Sequence, residues 1–311
     1  MRRGPRFVSS GDLTADRRYG WALDYLAQGD LAAAADILRQ ALELAPNFAA
    51  GWFALGSVRE RQGDRNGAVE AFRAAAEADA EDLHAARLHL ARLGAGAATD
   101  DMMANHARRV FDQHAPDFDE SLLRQLGYRG PDLLLAAVLN AAAEAGRPPR
   151  FAAALDLGCG TGLSGAPFRP HVERLVGVDL SAGMIEEARR KTIYDRLETG
   201  DLVRFLAVEA AADTEYDLVI AADVFVYVAD LTPVMQGVAS VLAPNGLFAF
   251  TLETHGGDGV LLRETLRYAH GASQAREAVT GAELRLLQLA EVSTRTEKGE
   301  PVPGLLVVAG S

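Results

Sequence analysis

One short segment constrains this chain more than any other: an apolar strand that ends in an acid and a glycine-rich turn, Asp156-Leu157-Gly158-Cys159-Gly160-Thr161-Gly162. Glycine lets a backbone turn sharply and approach a neighbour with no Cβ in the way. The strand feeding this turn is expected over Ala152–Leu157. A second strand, Arg174–Val178, is followed at once by Asp179, and Ser181 then offers an N-cap to a helix running through Lys191. From Phe151 onward apolar strands alternate with helical stretches, the pattern of a doubly wound, mostly parallel sheet.

An acid at the end of the second strand is placed to accept hydrogen bonds from ribose hydroxyls. Gly160-Thr161-Gly162-Leu163-Ser164-Gly165 also fits the dinucleotide spacing G-x-G-x-x-G. The register argues against a dinucleotide. In that fingerprint the first glycine directly follows the strand, but here Gly158 takes the place and Asp156 sits inside the strand end. A carboxylate there suits a cationic amine and would repel a pyrophosphate.

The segment Asp156–Gly162 resembles the first motif of class I S-adenosylmethionine (SAM)-dependent methyltransferases, and further landmarks follow in that family's order. Gly200-Asp201-Leu202 resembles the acidic segment after the third strand. Tyr216–Ala222 resembles the fourth strand, followed by Asp223-Val224-Phe225-Val226-Tyr227. Leu242–Gly246 resembles the turn into a fifth strand, Leu247–Leu252, with Leu247 where the family often has a second glycine. Glu297–Pro301 and then Leu305–Val308 suggest the antiparallel hairpin that closes the fold. The resemblance implies an α/β, Rossmann-like sheet with an antiparallel last strand. SAM would be the cofactor and S-adenosylhomocysteine (SAH) the product. It implies that Asp156, Gly158 and Gly160 line the methionine part, Asp179 the ribose, Asp201 the adenine amine, Leu180 and Met184 the adenine faces, and that Asp223 also binds the cofactor.

Residues 15–82 repeat with a 34-residue period: Gly29-Asp30 recurs as Gly63-Asp64, Ala34 as Ala68, Leu38 as Phe72 and Ala41 as Ala75. Small residues let paired helices touch, and the period resembles tetratricopeptide repeats. Pro46 ends the first repeat, and a helix over Leu83–Leu93 would cap the second. Repeats of this kind dock partners, support the enzyme or dimerise it. Together the two halves are similar to bacterial tetratricopeptide-repeat methyltransferases of mostly unassigned substrate. Residues 1–94 are expected as the all-α repeat domain, 95–150 as a helical linker or lid, and 151–311 as the catalytic domain. In the middle segment, Phe111-Asp112-Gln113-His114-Ala115 and Phe118-Asp119 have helical spacing, broken by Pro116 and Pro131.

Methyl transfer asks the protein to align an in-line attack and exclude water. A hydroxyl or ammonium acceptor also needs a base. His270, Tyr227 and His255 are the candidates. A helix over 267–276 would put Arg267 and His270 on one face, and a cation beside a histidine suggests an acidic acceptor. Arg267, His114 and Phe118 are the expected acceptor contacts. Cys159 has no evident activating partner and reads as a small loop residue. The net charge of -12 disfavours nucleic acid and anionic lipid. With a single cysteine, neither an internal disulfide nor a cysteine-rich metal site can form. No apolar window approaches a membrane span, and Met1-Arg2-Arg3-Gly4-Pro5-Arg6 precedes no secretory apolar stretch, so a cytoplasmic enzyme acting on a small molecule is expected. A protein methyltransferase, a nicotinamide oxidoreductase and a non-catalytic scaffold are the alternatives.

Overall fold

The computed structural model describes residues 9–311, so Met1–Arg6 lies outside the described residues. The chain forms two compact units, divided between His106 and Ala107.

The first unit is helical: α1 (Leu13–Gln28), α2 (Leu31–Leu44), α3 (Ala49–Arg61), α4 (Arg65–Ala78) and α5 (Ala86–Arg92), followed by the start of α6 (Asp100–His114). The repeated Gly-Asp works the same way twice. Gly29 ends α1 at φ +81 and Asp30 caps α2 by accepting from the Ala33 amide at 3.0 Å. Gly63 lies at φ +80 and Asp64 accepts from the Gly67 amide at 2.9 Å. Glycine takes the left-handed conformation and aspartate satisfies a free helix amide. Small residues make close packing possible: a Cβ at Gly56 would lie 2.7 Å from the Phe72 ring. The capping helix begins at Ala86, not at Leu83. Asp82 and Ala85 both adopt positive φ, and the Asp82 carboxylate caps the amides of Ala86 at 2.7 Å and Arg87 at 3.1 Å.

In the second unit, α6 gives way to a 3₁₀ turn (Ala115–Asp117), a single helical turn α7 (Phe118–Glu120) and a π turn (Ser121–Gln125). Then comes α8 (Gly130–Glu144), with Pro131 in its first turn, where a missing N–H costs nothing. Next are β1 (Phe151–Leu157), α9 (Gly165–Phe168), β2 (Val172–Asp179), α10 (Ala182–Lys191) and β3 (Arg196–Thr199). They lead to α11 (Leu202–Ala211), β4 (Tyr216–Ala221), α12 (Thr232–Val241) and β5 (Leu242–Thr254). The chain ends with β6 (Val260–Leu262), β7 (Tyr268–His270), α13 (Ala272–Gly281), β8 (Arg285–Val292), β9 (Thr296–Glu297), β10 (Glu300–Pro301) and β11 (Gly304–Gly310).

The main sheet runs β3-β2-β1-β4-β5-β11-β8, parallel as far as β5, with β11 antiparallel between β5 and β8. Alternate strand residues separate its two faces. Leu155, Val176, Val219, Phe248 and Val307 pack with α11, α12 and α13. Ala154, Leu175, Leu218, Ala249 and Val308 pack with Leu134 and Val138 of α8. Thus α8 covers the sheet and belongs to the second unit, and the segment 95–150 is divided between the two units. The hairpin expected at 297–301 exists only as the small β9–β10 pair. β11 itself pairs with β5 and β8.

The helix expected over 267–276 is also corrected. Tyr268–His270 is strand β7, paired in parallel with the end of β5 (Glu253 opposite Ala269, Thr254 opposite His270), and α13 starts only at Ala272. Leu266 at positive φ turns the chain into β7, and this pairing outweighs helical spacing that was local only. Among the described residues no helix is long and apolar enough to cross a membrane.

Candidate functional site

Strand order reverses between β1 and β4, which opens a crevice beyond their carboxyl ends. The glycine turn forms one wall. Gly158, Gly160 and Gly162 all have positive φ. At Gly158 a Cβ would sit 2.5 Å from Val224 Cγ2, so the turn packs directly against the loop after β4. At Gly160 nothing lies within 4 Å of the Cβ position, so this side of the turn is open.

Asp179 joins this turn to the next. Its Oδ2 accepts from the Gly160 amide at 2.9 Å and its Oδ1 from the Ser181 amide at 2.8 Å. It is 8% exposed, and burial, opposed by those two amides, pushes its carboxyl up to about 6. Ser181 caps α10 through the Met184 amide at 3.1 Å. Met184 is buried and Leu180 half-buried beside Asp179.

Asp156 is fully buried. Its Oδ2 accepts from Ser164 Oγ at 2.8 Å and from the Tyr194 hydroxyl at 2.6 Å, while Oδ1 has no partner among the described residues. Burial raises this carboxyl to about 7, the two hydroxyls opposing it. An unpartnered buried oxygen normally costs stability, and Asp156 Oδ1 is such an oxygen. Cys159, between the glycines, is buried, and burial beside Asp156 and Asp179 drives its thiol well up, away from nucleophilic use. Asp201 is exposed and caps α11 by accepting from the Arg204 amide at 2.9 Å.

Asp223 lies at φ +55 just after β4, and both its oxygens are held by protein donors. Thr251 Oγ1 donates to Oδ1 at 2.8 Å, Thr294 Oγ1 approaches both oxygens, and Arg295 Nη1 donates to Oδ2 at 2.7 Å. Arg295, only 4% exposed, also donates to Glu253 at the end of β5 and, through Nε, to Glu297 at 3.0 Å. Arg267 joins the same network through Glu297 at 2.5 Å and Glu253 at 3.5 Å, with Arg263 at 3.4 Å from Glu253. Sequence reasoning missed Arg295 and Glu253. The available signal was a lone carboxylate directly after the buried run Phe248–Leu252 of β5.

The expected proton-transfer and acceptor residues divide. His270 in β7 is fully buried, its Nε2 facing the Phe225 carbonyl at 3.4 Å and its Nδ1 unpartnered among the described residues. Burial lowers its pKa, so it sits neutral beneath the Phe225–Tyr227 turn. His255 is tied within its own loop, to the Gly257 amide and the Gly259 carbonyl. His114 is exposed, with Nδ1 against the Val110 carbonyl at 2.7 Å. Tyr227 and Phe118 are brought together by Phe111, which meets their rings edge-on at 5.4 and 5.9 Å. Burial lowers the Arg267 pKa, but the neighbouring Tyr227, Glu253 and Glu297 outweigh it and raise the pKa.

Residues 155–248 match the family model of a methyltransferase domain, and residues 15–58 and 49–82 match two tetratricopeptide-repeat models. Methyltransferase-like protein 27 of Homo sapiens is 41% identical over 88 residues, 28% of this chain and 34% of that protein. The ubiquinone biosynthesis O-methyltransferase of Chelativorans sp. is 36% identical over 118 residues, 35% of this chain and 45% of that one. The chain thus spans less than half the length of either relative. Among solved structures, the N-methyltransferase NodS from Bradyrhizobium japonicum, in complex with SAH, superposes with a TM-score of 0.50 at 18% identity, covering 66% of this chain and 97% of that one. This last likeness shows the fold alone.

Proposed function

We propose that this chain, a methyltransferase domain of the class I fold carried behind tetratricopeptide repeats, transfers a methyl group from SAM to a small acidic molecule. The observation that carries the reading is Asp179. A buried carboxylate at the end of β2 bridges the glycine turn and the start of α10 across the topological switch point, where a ribose would find a charged acceptor.

The chain fits that cofactor at two further places. The side of Gly160 is open, and the unpartnered Oδ1 of Asp156 matches an ammonium. Asp156, Gly158 and Gly160 would hold the methionine part, Asp179 the ribose, and Leu180 and Met184 the adenine. When bound, the cofactor supplies an already activated methyl group. The protein's own part is to orient the acceptor and exclude water. Phe111, Phe118 and Tyr227 provide an aromatic wall for that purpose. Arg267, with a side chain still 27% exposed, is placed to hold an acceptor carboxylate beside Tyr227. Relatives that methylate oxygen support the same chemistry here.

Incubation with methyl-labelled SAM and a panel of carboxylic-acid metabolites tests this. Label in a small-molecule product supports the proposal. Label recovered only in protein would favour a protein methyltransferase that recruits its target through the repeats.

A further inference from the structure

The sequence places two Phe-Asp pairs seven residues apart, Phe111-Asp112 and Phe118-Asp119, and the structure uses all four residues. Asp112 Oδ1 accepts from Ser181 Oγ at 2.5 Å and from the Gly183 amide at 3.1 Å, at the start of α10. The same Ser181 donates its own amide to Asp179. Seven residues on, Asp119 accepts from Thr161 Oγ1 in the glycine turn and from Lys191 Nζ at 2.5 Å at the end of α10. The two phenylalanines meet each other, and Phe111 meets Tyr227 in the loop after β4. One segment therefore touches all three loops that rim the crevice, those after β1, β2 and β4. The close approach is built in: a Cβ at Gly183 would meet the Ala115 Cβ at 3.3 Å.

We infer that residues 107–126 form a strap across the cofactor crevice, fastened by Asp112 and Asp119, and that these two aspartates are positioning residues that set how long the cofactor stays bound. The inference rests on the SAM reading above. Each fastener acts through another residue. Asp112 orients Ser181 and hence the amide that Asp179 accepts, and Asp119 orients Thr161 within the glycine turn.

The strap is also made to release. Asp112 is exposed and the Asp119 side chain is 36% exposed, and polar contacts this wet are weak and reversible. The backbone changes from α to 3₁₀ to α to π helix between residues 114 and 125. Beyond it the chain is pinned, with Leu126 accepting from the Thr296 amide at 2.8 Å and Arg129 donating to the Thr294 carbonyl at 2.8 Å. The strap thus has a firm end at 126–129 and two light fasteners over the crevice.

The test uses the full chain and SAH as the probe, with stopped-flow measurement of its dissociation. Asp112→Asn combined with Asp119→Asn should release SAH roughly tenfold faster, because contacts that close over a ligand act mainly on the off-rate. The melting temperature of the SAH-free protein should hardly change. Thr161→Val removes the partner instead of the aspartate, should act in the same direction, and should not add to Asp119→Asn. Asp117→Asn, exposed on the strap, should release SAH at the wild-type rate. In the unmutated protein, amides of residues 107–126 should gain hydrogen-exchange protection when SAH is added. Wild-type release rates in both the double variant and Thr161→Val, or no gain in protection, would overturn the strap. Failure of the unmutated protein to bind SAH would instead overturn the cofactor reading.

Discussion

The amide of Gly160 donates to the carboxylate of Asp179 at 2.9 Å, so the glycine turn after β1 and the acid at the end of β2 form one rigid piece before any ligand arrives. Preorganisation of this kind lowers the cost of binding. On the SAM reading, one side chain would both shape the pocket and offer its charge to the ribose.

Asp179→Ala is therefore expected to weaken SAM binding by about 1–3 kcal/mol, as for loss of a charged acceptor to two hydroxyls. Calorimetry checks it. An unchanged dissociation constant would remove Asp179 from the cofactor site.

A pH dependence follows from Asp156. Its carboxyl ionises near the ordinary 3.8 in the unfolded chain and at about 7 in the folded protein. Between those values the folded state keeps a proton that the unfolded state has lost. The stability from this group is thus fully present below pH 4 and is lost as the pH rises to about 7. Denaturant titrations at several pH values should show a shallower decline over this window in Asp156→Asn than in the unmutated protein. Parallel curves would mean that Asp156 ionises normally.

Arg295→Met should destabilise the second unit by about 3–5 kcal/mol, because it removes the buried cation that Asp223 and Glu253 share and leaves only Thr251 and Thr294 on Asp223 and the longer contacts of Arg263 and Arg267 on Glu253. Chemical denaturation measures this. A loss below about 1 kcal/mol would show the network to be as weak as a surface ion pair.

Deleting residues 1–93 should leave α6 and the whole second unit, which is expected to unfold in one cooperative transition and still bind SAH. The sheet's two cores draw on residues from Leu133 onward only. Non-cooperative melting of the truncated chain would show that the units share a core.

The parts legible in the sequence are those written locally. The glycine turn, Asp179 and the Ser181 cap sit within one strand-turn-helix stretch, and the repeats announce themselves through Gly29-Asp30 and Gly63-Asp64. What could not be read is what the fold assembles from afar. His270 lies in a strand because β5 is there to pair with it, and nothing near residue 270 records that partner. Arg295 gains its role from Asp223 and Glu253, each supplied by a different strand end. Asp201, expected at the adenine amine, is exposed and caps α11 through the Arg204 amide. In the Phe-Asp pairs the aspartates reach Ser181 and Thr161 across 69 and 42 residues, which no local pattern records.

The crevice beside Gly160 and Asp179 is proposed to hold SAM. Isothermal titration of the full chain with SAM, SAH and NAD tests it most directly. Saturable one-to-one binding of SAM and SAH is expected, lost or weakened in Asp179→Ala, with no heat from NAD. Saturable binding of NAD with none of SAM would contradict it.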